Sequence, residues 1–376
     1  MKERISRLQL SVGTPLPWDA YTADGRLLLR RGQIIDSERA IDRLIDEGLF
    51  LENTRASAHD TTPPIETRPS ALQYIVDARH LLAAVYSRKL DEIENLPDRI
   101  GQIRDAVMSA CDTHMRLSLS SILLLNNAAY SVKHPIDVAI LAKALADALS
   151  FDTELQHTIV SAALTMNIGM IEVEDKLQLI QGPLNDKLMG MIRMHPDLGA
   201  QRLSKLGVRD EKWLTLVRQH HEHMDGSGYP IGCAGNAIDI GAQLIGLADK
   251  YCAMVSARSY RPPMKPTSAI RELYIKHGQT IDNAIITSLI HVLGRYPVGT
   301  LVRLATSEIG VVTGPGEGSD TPEVHAIIGR SGTALEVASH RKTHLPKFAI
   351  EDVITTDKLG VPVRMTSLWG KEAVVL

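Results

Sequence analysis

His220-His221-Glu222-His223-Met224-Asp225-Gly226-Ser227-Gly228-Tyr229-Pro230 is the stretch around which the chain is organised. Its first six residues hold three imidazoles and two carboxylates, and a Gly/Pro turn follows. Neutral imidazole and carboxylate are ligands for borderline and hard divalent metals. Gly226, Gly228 and Pro230 do not continue a helix comfortably, so the cluster is expected where a helix ends in a tight loop. A single histidine there would read as a solvated helix end. Two adjacent ones before a Gly-x-Gly-Tyr-Pro turn read as a site.

Outward from this stretch the pattern is helical. Apolar residues recur at three- and four-residue spacings from about 71 to 295. Leu72, Ile75, Val76, Leu82, Val85 and Tyr86 form one stripe, and Ile103 to Ala129 supplies one or two more helices. A further helix is entered through His134-Pro135, and Asp152 can cap the next. Asn185 to Met194, Leu198 to Leu206, Glu211 to Glu222, Gly241 to Val255, Ser268 to Ile275 and Ile281 to Leu293 complete an all-helical domain. The stripes before residue 130 suit either a homodimer interface or the domain's own core.

The flanks have a different character. Residues 1–55 read as a small α+β unit, with a strand at 9–12, a turn at Asp24-Gly25 and a helix at 38–47. Residues 56–70 are polar and Pro-rich, a linker pattern. From Pro297 the period becomes β-like, giving a small β-rich appendage over 297–376. Gly314-Pro315-Gly316-Glu317-Gly318 lies between two of its strands and reads as a hairpin tip rather than a phosphate cradle.

Composition sets the class. For 376 residues a prior of roughly one domain per 150 residues gives two or three domains. Hydrophobic content of 44% with 4% aromatic makes Leu, Ile, Val, Ala and 12 Met fill the core, which favours helix. A formal charge of −3 gives no global pull toward a nucleic acid polymer or an anionic membrane. The 3 cysteines, Cys111, Cys233 and Cys252, lack the spacing of a disulfide framework or zinc ribbon. With no apolar leader and no apolar run of about 18 residues, a cytoplasmic protein without a membrane span is expected.

Three more ligand-type residues stand at helix edges: His134, His195 before Pro196, and Asp249 in Leu247-Ala248-Asp249-Lys250. Ligands converging from separate helices are how bundles build metal sites. Here the chain resembles a known family. Residues 220–230 fit the H-H-E-x-x-D-G-x-G-Y-P signature of the HD-GYP domain, a helical branch of the HD phosphohydrolases. The resemblance covers roughly 125–295, within a helical domain over 71–296. It implies His134, His195, His220, His221 and Asp249 as metal ligands. It implies Arg258 and Arg261 as the basic pair that grips phosphate. It implies Asp225, Gly226, Gly228, Tyr229 and Pro230 as a loop for partners. Members hydrolyse the bacterial messenger cyclic di-GMP at a two- or three-metal centre, usually of iron or manganese.

One departure stands out. The His-Asp pair followed by Ile-Gly-Lys should fall where this chain reads Met166-Asn167-Ile168-Gly169-Met170. An acidic ligand sometimes found one turn before the first histidine is replaced by Tyr130. Two cations held close need a bridging carboxylate to offset their repulsion, and Asn167 is neutral. Met166 offers a soft thioether, a poor match to iron or manganese. Met170 removes a lysine expected to meet charge on phosphate. No catalytic set is therefore intact. The expected function is a degenerate HD-GYP module in cyclic di-GMP signalling. It would bind nucleotide at a site with one divalent metal or none, or dock a GGDEF-type cyclase or another signalling protein. A low-turnover phosphodiesterase and a purely structural or oligomerising module are the alternatives.

Overall fold

The structure, a computed structural model, describes residues 2–4, 20–22, 27–29, 33, 50–52 and 68–375. Within the last span, residues 88, 90, 91, 178, 181, 183, 184, 259, 260, 278, 279 and 319 are excepted. The chain divides into two compact units, Met1–Arg68 and Pro69–Leu376.

The first unit contains an antiparallel sheet of β1 (Lys2–Arg4), β2 (Ala20–Tyr21), β3 (Leu27–Leu29) and β4 (Phe50–Glu52), in the order β1-β4-β2-β3. β2 and β3 pair across the segment that holds Asp24-Gly25. The strand expected at 9–12, the helix at 38–47 and the linker residues 56–67 lie outside the described residues.

In the second unit the described helices are α1 (Ala71–Tyr86), α2 (Leu96–Leu124), α3 (Tyr130–Ala148), α4 (Thr153–Thr165) and α5 (Ile171–Leu177). They continue with α6 (Asp186–Lys205), α7 (Glu211–Gln219), α8 (Ile240–Val255), α9 (Pro266–His277), α10 (Asn283–Leu293) and, near the C-terminal end, α11 (Met365–Trp369). Short polar side chains start many of them by accepting the orphan amides of the first turn. Asp152 takes Leu155 N at 2.8 Å, Asn185 takes Leu188 N at 2.9 Å and Asp210 takes Trp213 N at 3.1 Å.

α3 is the axis of the bundle: every residue from Ser131 to Ala146 is buried. A helix apolar on one face alone could not be covered in this way. Its interior charges are paired instead. Asp137 accepts from Arg79 of α1 at 3.2 Å and from Lys133 one turn before it. Ile75, Leu82, Leu96, Ile100 and Ile103, from the stripes before residue 130, are buried in the chain's own core. That accounts for the stripes without a second copy. Among the described residues no helix is long and apolar enough to cross a membrane.

A five-stranded antiparallel sheet follows: β5 (Leu301–Leu304), β6 (Ile309–Gly318), β7 (Thr321–Ile328), β8 (Ala334–Lys342) and β9 (Ile350–Ile354), in the order β8-β7-β6-β5-β9. Gly314 to Gly318 is not the hairpin tip that the sequence suggested. It forms the end of β6 and pairs irregularly with β7, Gly314 opposite Glu323 and Gly318 opposite Thr321. A methyl group on Gly316 would lie 1.8 Å from the Thr321 carbonyl, so the close approach needs glycine. The sheet is fastened to the bundle. Leu124 packs against a cluster containing Leu301, Val311 and Ile354. Ser70 Oγ donates to the Val374 carbonyl at 2.5 Å.

Candidate metal and ligand site

α6 runs unbroken from Asp186 to Lys205, where two helices were expected on either side of Pro196. Proline has no N–H to give the carbonyl four residues back, which here is Ile192 O. The ring of His195 takes over: its Nδ1 sits 2.5 Å from that oxygen. His220, just past the end of α7, does the same with Val217 O at 2.6 Å, one of the carbonyls a helix end leaves unpaired. Both contacts require the proton on Nδ1. Both Nε2 atoms are then bare lone pairs, and they face each other at 3.3 Å.

Two facing lone pairs cannot satisfy each other. Burial keeps both rings neutral, since it lowers His220 and takes His195 down to about 3. Two nitrogens on one cation, each about 2.1 Å away and about 90–109° apart, stand roughly 3.0–3.4 Å from one another. The pair therefore fits a metal ion. His221 completes the group, with one donor atom of each of the three rings within 4.8 Å of the others. The His221 ring is also held well below its ordinary range, first by burial and then by His220.

Asp249 enters from α8. Its Oδ1 accepts from His134 Nε2 at 2.7 Å, and its Oδ2 lies 3.9 Å from His221 Nδ1. Burial alone would raise this carboxyl, but the hydrogen bond from His134 acts against it, and the carboxyl stays below its ordinary range. Tyr130, one turn before His134, stacks on that imidazole with ring centres 4.7 Å apart.

The Gly-Tyr-Pro loop folds back over the rings. Glu222 is buried and accepts the amides of Ile231 at 2.7 Å and Gly232 at 3.0 Å, so it anchors the loop rather than a ligand. Gly228 passes so close to the chain that a Cβ would stand 2.4 Å from His223 N. Tyr229 brings its ring to 4.7 Å from that of His221, and the bond to Pro230 is cis. Asp225 is exposed and accepts from Ser227 Oγ at 2.6 Å, and Gly226 turns with positive φ. His223 points away from the three rings, receiving Lys250 Nζ at 3.0 Å.

His134, Asn167, Met170, His195, His221, Tyr229, Asp249 and Arg258 line one cavity of about 360 Å³. Met166 is not among them; its side chain is fully buried in the apolar core. Asn167 turns its amide to Glu174 Oε1 at 2.6 Å. Arg258 donates to Tyr130 Oη at 2.9 Å inside the cavity. Arg261 instead spends an Nη2 donor on Ala253 O at 3.0 Å and does not line the cavity.

Glu174 is the residue that sequence reasoning missed. It lines the cavity, is 1% exposed, and burial pushes its carboxyl up to about 8. In sequence it looks like one of three acids, Glu172, Glu174 and Asp175, on a short solvated helix. The usable signal was Val173 and Leu177 alongside it, which set an inward face for α5.

These groups give the metal-free protein a stability optimum. Unfolded histidines take up protons near 6.5, whereas folded His195 does so only near 3. Acidification from pH 6.5 therefore favours unfolding, at about 1.4 kcal/mol per pH unit for each such ring. Glu174 acts oppositely: raised from 4.5 to about 8, it stabilises fully below 4.5 and that contribution is lost as pH rises to 8. Melting temperature without metal should peak near pH 6.5. Glu174→Gln should flatten the alkaline fall and steepen the loss between pH 6.5 and 4.5, where Glu174 offsets part of the histidine effect. A melting temperature that does not vary between pH 5 and 8 would contradict these assignments.

Comparison with known proteins agrees with this geometry. Residues 116–285 match the HD domain family. The chain is 29% identical over 308 residues to a protein named cyclic di-GMP phosphodiesterase PA4108, from Pseudomonas aeruginosa, covering 75% of this chain and 74% of that protein. It is 32% identical over 151 residues to the response regulator RpfG of Xanthomonas campestris, named a cyclic di-GMP phosphodiesterase, covering 40% of each. A Vibrio cholerae protein named 3'3'-cGAMP-specific phosphodiesterase 1 is 31% identical over 137 residues, which are 36% of this chain and 31% of that one.

Proposed function

The chain carries an HD domain homologous to those of HD-GYP cyclic di-GMP phosphodiesterases, and from that premise we propose a receptor or docking module in cyclic di-GMP signalling. In this reading the pocket holds nucleotide beside one divalent cation and cleaves it weakly or not at all. The observation that carries the reading is Asn167. It stands in the pocket wall where a carboxylate would bridge two cations, and its amide is committed to Glu174 at 2.6 Å.

His195, His220 and His221 would hold the cation. A bound cation supplies Lewis acidity and charge for the phosphodiester. The chain's own groups do the rest. Arg258 offers a planar fork that suits phosphate oxygens. Leu177, Ile180 and Ile192 give the cavity an apolar side for a base. Tyr229 covers the histidines from the loop side. Gly228, Tyr229 and Pro230 would dock a GGDEF-type cyclase or another signalling protein. The proposal includes a cytoplasmic setting and the boundaries 1–55, 56–70, 71–296 and 297–376.

A second reading, a phosphodiesterase of low turnover, has the intact three-histidine cluster in its favour. Calorimetry and product analysis separate the two. Purified protein should bind cyclic di-GMP, and Arg258→Ala should weaken binding roughly ten- to a hundredfold, the worth of a hydrogen bond to a charged group. With Mn²⁺ or Fe²⁺ it should form no linear dinucleotide above a metal-only blank. Sustained turnover that His221→Ala abolishes would overturn the receptor reading in favour of the second. Absence of binding would leave only docking or a structural role.

A further inference from the structure

The cavity contains an acid that the lost His-Asp pair does not explain. Glu174 stands on α5, seven residues after Asn167. Its two oxygens are unlike. Oε1 accepts the Asn167 amide at 2.6 Å, whereas Oε2 is buried without any hydrogen-bond partner. A buried polar atom left unpaired is costly, and such atoms mark the place of an absent partner.

The surroundings decide what that partner can be. Asp175, next on the helix, is occupied by the amide and hydroxyl of Ser131 at 2.9 and 2.8 Å. Asp249 on α8 is paired with His134 and repels a second negative charge. Tyr86 of α1 donates its hydroxyl to Leu164 O at 3.0 Å, and Tyr130 of α3 receives Arg258. Both phenols are raised by burial and stay neutral. Arg258 is the cation among these groups that favours the ionised carboxylate, and burial together with the two aspartates outweighs it. Glu174 is accordingly neutral at physiological pH. Because Oε1 already accepts, its proton belongs on Oε2, a buried and unpaired oxygen of a residue that lines the cavity.

Resting on the nucleotide-binding reading above, we infer that Glu174 acts as a carboxylic acid whose Oε2–H donates to a phosphodiester oxygen of the bound nucleotide, beside Arg258. The arrangement gives the anion a donor without adding a charge that would repel it. It also ties ligand binding to a proton: the ionised form has no donor to offer and faces the phosphate with like charge. The ligand class follows from this chemistry, an anionic phosphodiester rather than a cation or a neutral nucleoside.

Calorimetry with cyclic di-GMP at pH 7, 8 and 9 tests the inference. Wild-type affinity should fall roughly tenfold between pH 7 and 9, with close to one proton taken up on binding at the alkaline end. Glu174→Gln, a permanent neutral donor, should bind within about threefold of wild type at pH 7 and lose the Glu174-dependent alkaline fall. Glu174→Leu should bind roughly ten- to a hundredfold more weakly at pH 7. A merely structural tie between α5 and Asn167 would leave the proton count untouched. Wild-type binding that is flat from pH 7 to 9, or a Gln variant that falls as wild type does, overturns the role of Glu174 and spares nucleotide binding. Binding by none of the proteins at any pH overturns both.

Discussion

His220→Ala should strip the purified protein of its metal. Wild type is expected to carry about one divalent ion per chain by elemental analysis, and the variant close to none. The expected loss in affinity is at least a hundredfold, larger than the roughly 10- to 100-fold cost of losing a group that only orients a ligand. The reason lies in the facing Nε2 atoms. His195 and His220 each have Nδ1 bound to a backbone carbonyl, so neither ring can turn its proton toward the other. Removing one ring leaves His195 and His221 alone and opens the cluster to water. His223→Ala is the matched control, since that ring faces Lys250 and Ser227 instead. Metal retained by His220→Ala, or lost equally from His223→Ala, would show that the three-ring cluster is not where metal binds. A wild-type chain that stays empty after incubation with Mn²⁺ or Fe²⁺ would show the same.

The second large effect concerns Met166, Asn167 and Met170. Met166→His, Asn167→Asp and Met170→Lys together should raise metal content from about one ion to about two. They should also bring cyclic di-GMP hydrolysis at least a hundredfold above the metal-only blank, the scale on which removing one transition-state donor acts. The structure adds a condition. Met166 is fully buried among apolar neighbours, so the new imidazole must displace core packing. The carboxyl introduced by Asn167→Asp would meet Glu174, which now receives an amide at 2.6 Å, and two carboxyls there repel unless one stays protonated. The triple variant should thus melt lower than wild type without metal and recover when Mn²⁺ is added, because binding to the folded state stabilises it. If metal content and hydrolysis both stay unchanged, the three positions set neither the metal count nor turnover.

Much of the site was legible because its signals are local. The paired histidines, the Gly-x-Gly-Tyr-Pro turn and the Asp152 cap all depend on residues a few positions apart. Helical periodicity was equally plain, and the α6 break at Pro196 was its error. The sequence rule that proline ends a helix is sound for an unpaired carbonyl; here the His195 ring pairs it. Gly314 to Gly318 misled for a similar reason. Glycine breaks a strand in isolation, but against β7 its missing side chain permits close pairing. Arg261 matched a family position, yet its guanidinium satisfies the Ala253 carbonyl and does not itself line the cavity.

By itself, then, the sequence determined a helical bundle with paired histidines ahead of a Gly-x-Gly-Tyr-Pro turn. Residue type and short spacing suffice for those. Tertiary structure alone decided that His195 and His220 point bare nitrogens at one another, that Asn167 is committed to Glu174, and that Glu174 is inside. These facts arise where α5, α6, α7 and α8 meet, from positions 174, 195, 220 and 249. Ring orientation and the ionisation of a buried acid are set by neighbours far away in the chain, and no local pattern encodes them.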